Sequence, residues 1–501
     1  MAFFTPREIA RDFVYMSFAR TMSLAISFVR SLIIPGLLGP LSYGIWKSLG
    51  LIQSYAQFGD IGARAALKRE IPFYKSKGDT ARLTDVQDVA FTINNISVLV
   101  AALCTLVASL LIEDRVMAMS MLVFLPLLYV THMNSFMEQY LYARKEFAWM
   151  SRLNMWTGVL EAILAIGMTW AMGLTGLALQ GLIIGTTLSY AIATFAQMRF
   201  IGFELGLRWD WRVFKELVKV GFPSHLNGLL YNIFHSIDRL LIVSMLGLTS
   251  FGFYAFAMTI TDYLFQFSYT LGNIISPRLV ERYSERERME DLQDMVEIPL
   301  IVISRVAPAV LGSVFFASEA ILKTFLTSFM PALVPLELLL IGTWFSSVPR
   351  GLSSFFITVR RQTQTVNLYL LSIGVNALLV YWLLSAGYGL AGAALGTTIS
   401  LVVFGMGLII LALRYFMKPA AVVVFLLRLS WPLALGLLFV YVGSTVSALI
   451  IASGESTAVL FGRHFVGACL FLALYSPVLV QLYRRYGKHL KATADSNPTG
   501  V

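Results

Sequence analysis

The amino-acid sequence predicts an all-α, polytopic membrane protein of about fourteen transmembrane helices, arranged as two six-helix lobes followed by a C-terminal helix pair. Three observations carry that expectation. Of 501 residues, 57% are hydrophobic and only 13% charged, with a mean hydropathy of +0.74, which lies outside soluble globular composition. Apolar stretches close to the ~20 residues that a bilayer-crossing helix needs recur from Phe13 to Tyr483. The basic residues alternate: 28 of the 38 Lys and Arg fall in every second gap, while the gaps between hold only Arg115, Lys323 and Arg463. With the N-terminus inside, that pattern obeys the positive-inside rule at every loop.

The elements follow in order. Arg7 and Arg11 precede an apolar stretch that contains Arg20 and Arg30 and lacks an A-x-A-like exit, so 13–35 reads as a retained first helix rather than a cleaved signal peptide. Further spans are expected at 44–66, 91–112, 117–141, 153–172, 176–197, 220–246, 251–276, 299–317, 331–357, 367–385, 388–413, 429–450 and 458–482. No gap is long enough for a soluble catalytic domain. Cys104 and Cys469 both lie in apolar segments, which leaves neither a disulfide framework nor a Cys-rich metal motif. The net charge of +10 arises in the cytoplasmic segments, so it reflects topology and anionic headgroups, not nucleic acid.

The chain also repeats itself. Leu38-Gly39-Pro40-Leu41-Ser42-Tyr43-Gly44-Ile45-Trp46 returns 208 residues later as Leu246-Gly247-Leu248-Thr249-Ser250-Phe251-Gly252-Phe253-Tyr254. Gly176, Gly181 and Gly185-Thr186-Thr187 return at an offset of 211 as Gly387, Gly392 and Gly396-Thr397-Thr398. The expected organisation is a lobe at 1–200, a parallel repeat at 208–416, two additional helices at 417–485 and a cytoplasmic tail at 486–501, with substrate between the repeats. The Gly-x-x-x-Gly pairs read as close helix packing through small residues.

A charge at a helix centre in the bilayer costs at least ~2.5 to 3.5 kcal/mol, so retained ones face a bundle interior or an aqueous cavity. Arg20, Ser23, Ser27 and Arg30 share one face of the first span, and Lys47, Ser54, Gln57 and Arg64 one face of the second. His225, Gly228, Asn232, His235 and Arg239 form a stripe in the seventh, as do Thr259, Asp262, Gln266, Tyr269 and Asn273 in the eighth. Arg305 is a further cation within a span. Arg matches phosphate oxygens with a bidentate fork, which suits a cationic wall to a pyrophosphate or acidic sugar. The alternative is internal pairing, Asp60 with Arg64 and Asp238 or Asp262 with Arg239, which would merely join helices. Asp60, Glu161, Asp238 and Asp262 are the candidates for coupling to H+ or Na+; Glu161 serves equally as a protonated structural group. His132, His225 and His235 lack metal-ligand spacing with carboxylate support and read as satisfied interior histidines. No cofactor or metal is expected.

Leu37 to Trp46 (LLGPLSYGIW) and Phe58 to Pro72 (FGDIGARAALKREIP) resemble bacterial polysaccharide flippases of O-antigen type, in the superfamily that also holds multidrug exporters and peptidoglycan-precursor flippases. The resemblance implies two six-helix lobes that carry an undecaprenyl-pyrophosphate-linked oligosaccharide across the inner membrane by alternating access, without a catalytic step. Cationic residues lining the cavity are a theme in these flippases, and Arg20, Arg30, Lys47, Arg64, Arg239 and Arg305 are the substrate-binding candidates here, on helical phase and burial cost rather than on a family motif. Membrane lipids and a polysaccharide polymerase with its chain-length machinery would be the partners. A drug or cation antiporter of the same superfamily shares the lobes but favours acidic cavity residues. A membrane polymerase or ligase should present catalytic residues in a sizeable outer loop, and the longest here, around 318–330, offers only Glu319 and Lys323.

Overall fold

A computed structural model describes residues 6–202, 204–286, 288–451 and 457–495; side chains are described from Met22 on, except at 265–278, 280–281, 285–287, 452–458 and beyond 485. Fifteen α-helices follow one another: α1 (Pro6–Ala56), α2 (Ala63–Lys77), α3 (Thr80–Leu111), α4 (Arg115–Ala143), α5 (Phe147–Gly173), α6 (Ala178–Phe200), α7 (Trp211–Phe234), α8 (Ile237–Arg286), α9 (Gln293–Phe325), α10 (Leu333–Ser347), α11 (Leu352–Thr358), α12 (Gln362–Ser385), α13 (Gly389–Leu413), α14 (Pro419–Ile450) and α15 (Thr457–Asp495). No strand occurs among the described residues. Inside a bilayer only helices and closed barrels satisfy every backbone donor and acceptor, so this is the architecture that the apolar composition requires.

Twelve of the described segments are long and apolar enough to cross a membrane, and two of them, Met22–Ala56 and Trp211–Leu264, are interrupted at Gly39 and Gly247. Counting each side of those glycines separately brings the number to the fourteen that the sequence predicts. Gly39 takes φ 74° and ψ 171°, and Gly247 takes φ 80° and ψ 178°. The repeated motif therefore adopts one backbone geometry twice, in a region that excludes a β-carbon. The second repeated motif behaves likewise, with φ 78° at Gly176 and φ 84° at Gly387.

By packing, the described chain divides into two units: the first comprises 1–236 with Gly247–Gly252, the second Ile237–Leu246 with 253–501. In the first unit, Gly44 meets the Leu248 carbonyl and Gly252 the Pro40 carbonyl so closely that added β-carbons would lie 1.9 and 2.0 Å from the oxygens. These two glycines are equivalent positions of the repeat. The amphipathic α2 buries Ala63, Ala66, Leu67 and Ile71 against α3, α4 and α7, around Val89, Phe136, Tyr140 and Leu217. A second cluster joins Ile45 and Leu49 of α1 to Phe124 and Leu128 of α4 and Ile183 of α6. Gly181 and Gly185 bring α6 onto the α5 backbone, as the small-residue reading expects, with added β-carbons only 2.3 and 2.4 Å from the Met168 and Leu164 carbonyls.

The sequence sets a lobe boundary between 200 and 208, whereas α7 packs with the helices that precede it. The segment between α6 and α7 is fastened to α3 and α4. Arg208 pairs with Asp85, Arg144 with Glu204 at 3.0 Å, and the Gly206 and Arg208 amides donate to Asp88 Oδ1 and Thr92 Oγ1, each at 2.8 Å. Asp210 then caps α7 by accepting from the amides of Arg212 (2.7 Å) and Val213 (3.2 Å), and Arg82 pairs with Glu216 in its second turn.

In the second unit, the C-terminal helices α14 and α15 pack on α9 through Ala309, Phe316, Phe471, Tyr475 and Val478. Gly312 lets the Phe471 ring reach the α9 backbone, with a β-carbon there only 2.3 Å from Cζ. Apolar side chains such as Leu110, Leu111, Leu378 and Leu449 stay exposed, which is how a helix faces lipid rather than a protein core.

Candidate functional site

The charges expected in the spans fall into separate groups. In the first unit, the second span is not one continuous helix. It unwinds at 57–62, between α1 and α2, with φ 49° at Ile61 and φ 93° at Gly62. A β-branched residue in the left-handed region is strained, and irregular backbone at membrane depth is tolerated only where it is buried in protein or lines a water-filled cavity. Here it is held by Asp60, 2% exposed, whose carboxylate accepts from the amides of Gly62 (3.3 Å) and Arg64 (3.0 Å).

Arg64 Nε lies 3.3 Å from Asp60 Oδ2, and its terminal nitrogen donates to the Gln57 carbonyl. The i,i+4 pair anticipated from the sequence therefore exists, but across a broken helix. His225 of α7 adds a contact that the sequence did not suggest, with Nδ1 3.5 Å from Asp60 Oδ1. Beside the turn, Ser97 and His132 share a hydrogen bond of 3.0 Å. His132 Nδ1 and both polar side-chain atoms of the fully buried Asn94 find no partner among the described residues.

A second group joins α1 to α5. Arg30 has no acidic residue in its own span, and its partner is Glu161. Arg30 keeps 23% of its side-chain surface and Glu161 11%, so the pair is partly buried. Glu161, expected as a coupling candidate, is thus engaged by a cation expected to bind substrate. Lys47 lies over the Tyr43 ring, 5.2 Å from its centroid. The Arg20 side chain lies outside the described residues, as do those of Gln266, Tyr269 and Asn273.

The second unit separates the remaining candidates. Asp238 is buried in the first turn of α8, where its Oδ2 accepts from Tyr254 Oη at 2.6 Å and Thr397 Oγ1 at 3.0 Å. Its other oxygen takes the Arg239 amide at 2.8 Å. The guanidinium of Arg239 instead lies 3.6 Å from Asp262, which is 55% exposed. Arg305 is buried in α9, and its carbonyl accepts Tyr475 Oη of α15 at 2.9 Å.

Tyr254, Thr397 and His225 are partners of these charges that the sequence did not reveal. Each lay inside a noted pattern, the two repeat motifs and the seventh-span stripe, but a helical face does not say which helix it meets. No group of His, Cys, Asp and Glu able to hold a metal occurs among the described residues.

Helices, broken spans and interior charges define a multi-pass α-helical membrane protein with the fold of the MOP-superfamily transporters. The lipid II flippase MurJ, in its inward closed conformation, matches with a TM-score of 0.69 at 14% identity, over 94% of this chain and 99% of its own. The Vibrio cholerae MATE transporter VcmN in its bent form matches with 0.55 at 15% identity, over 84% and 99%. A MOP-superfamily transporter from Pyrococcus furiosus matches with 0.55 at 15%, over 85% and 96%. At such identities the likeness is one of fold. The family is given by sequence: this chain belongs to the polysaccharide biosynthesis protein family, whose model matches residues 36–334. No curated protein matches it.

Proposed function

We propose that this protein flips an undecaprenyl-pyrophosphate-linked oligosaccharide, the repeat unit of an O-antigen-type polysaccharide, across the bacterial inner membrane by alternating access. The observation that carries the reading is membership of a polysaccharide biosynthesis family on a fold shared with a lipid II flippase. The distribution of Lys and Arg supports a cytoplasmic position for both termini. Arg20, Arg30, Lys47, Arg64, Arg239 and Arg305 are the proposed contacts for the anionic substrate, and a carboxylate among Asp60, Glu161, Asp238 and Asp262 the site of coupling to H+ or Na+. The step is translocation without bond chemistry, and a polysaccharide polymerase would take up the product.

Deleting the gene should leave undecaprenyl-linked repeat units accumulating on the cytoplasmic face, and restoring the chain should move them to the outer face. Unchanged surface polysaccharide and an unchanged lipid-linked pool in the deletion strain would overturn the proposal. A drug or cation antiporter is the second reading, favoured by the MATE fold likeness. Altered drug susceptibility with intact polysaccharide in the same strain would select it.

A further inference from the structure

In the second unit, α10 and α14 both pack against α9, and a groove of about 280 Å³ lies among the three helices. It runs along them: Pro308 and Phe315 of α9 are seven residues apart, as are Leu433 and Val440 of α14, which at the helical rise is ~10 Å. Leu338 and Ile341 of α10 form the third wall. The mouth opens where apolar side chains stay exposed, Val334 at 51% and Leu437 at 43%, so lipid rather than water stands before it in a bilayer. Of the thirteen residues that line the groove, only Glu337 has a polar side chain.

Glu337 is half-buried one turn into α10, and it makes no hydrogen bond or ion pair among the described residues. The cations nearby are committed to another carboxylate. Lys323 pairs with Glu319, His464 Nε2 lies 3.4 Å from Glu319 Oε2, and Arg463 acts electrostatically on the same group. The charge that reaches Glu337 is that of Glu319, of its own sign. A carboxylate set among apolar walls, with a like charge for a neighbour, is left to be matched by a cationic donor from outside the chain.

We propose that this groove is a site for a bilayer phospholipid with a primary ammonium headgroup, the ammonium donating to Glu337 and an acyl chain lying along the α9, α10 and α14 walls. The orientation drawn from Lys and Arg starts α10 at the outer face, which puts Glu337 near the headgroups of the outer leaflet and Pro308, Ile341 and Leu433 toward the bilayer centre. An anionic phospholipid would meet a like charge and no cation in the groove, so the same carboxylate that attracts the ammonium lipid discriminates against it. A chain without an amine fills the walls and leaves Glu337 unmatched. Seated there, the lipid joins α10 to α14 and so the C-terminal helix pair to the lobe. The site makes no use of what the protein carries and stands apart from the flippase reading.

The test places the full chain in nanodiscs of equal parts phosphatidylethanolamine and phosphatidylglycerol, and native mass spectrometry counts the lipids that stay bound after release. Glu337→Gln should lower the ratio of retained ethanolamine to glycerol lipid about fivefold, the worth of one charge-assisted hydrogen bond in a partly solvated place. Glu319→Gln, beside the groove but not lining it, should leave the ratio as in the wild type. Leu437→Trp, which fills the groove and keeps the carboxylate, should lower it as Glu337→Gln does. A ratio unchanged in Glu337→Gln, or lowered equally by Glu319→Gln, overturns the proposal. If Glu337→Gln fails to accumulate, Leu437→Trp decides, and wild-type retention in that variant overturns the site. In a second arm, N-acetylated phosphatidylethanolamine replaces the natural lipid and should be retained about fivefold less by the wild type. Equal retention of the blocked and the free amine would mean that the groove takes a chain without reading its headgroup, and overturns the proposal.

Discussion

Asp210 illustrates what one side chain does where the chain re-enters a helix. The amides of Val213 and Arg212 hold its carboxyl below the usual carboxylate range, because both hydrogen bonds favour the charged form. A depressed carboxylate contributes stability above its unfolded pKa of ~3.9, and that contribution disappears as pH falls through the lower folded value. Asp210→Ala should speed hydrogen exchange at Arg212 and Val213, and Asp210→Asn should largely restore protection, since Asn is also a good cap. Equal exchange in the three proteins would remove the cap from the account. The stripe that carries His225 along the seventh span was legible in sequence. The His225 contact was not, because it depends on a turn at 57–62 that the apolar run of the second span conceals.

Among elements, the two repeated turns make the clearest case. Gly44 and Gly252 each admit a foreign carbonyl at a distance that no β-carbon tolerates. Gly44→Ala or Gly252→Ala should each cost ~1 to 3 kcal/mol by overpacking, seen as a lower Tm at unchanged membrane insertion. Because both open one contact, the double variant should cost less than the sum, and strict additivity would show the contacts to be independent. The pairing of α1 with α5 makes a different prediction. Arg30→Ala leaves Glu161 without its cation, a loss that can reach ~3 to 5 kcal/mol for a buried pair and is smaller here because both groups keep some solvent. Arg30→Ala with Glu161→Gln should recover membrane abundance. Recovered abundance without recovered export would assign Arg30 to the substrate, whereas recovery of both would make the pair structural. The stripe in the first span showed that Arg30 faces inward. It did not show Glu161, which lies 131 residues away.

For the whole molecule, the distribution of basic residues makes the orientation testable: a reporter fused near Lys77 should lie in the cytoplasm and one near Glu113 outside. The reverse at either site would break the fourteen-span layout. The sequence by itself determined the all-α membrane class, the repeats and the presence of charges within the apolar segments. It could do so because the bilayer imposes a length on every span and a cost on every charge, and both are local quantities readable along the chain. Only the tertiary structure decided that the second span unwinds at Asp60 and that α7 packs with the first unit. It likewise decided that Asp238 is held by Tyr254 and Thr397, while Arg239 turns to Asp262. Those outcomes depend on which helix faces which. Helical periodicity gives a residue its angle about its own axis and says nothing of the neighbour it meets, so charge partners far apart in sequence are settled only when the helices pack.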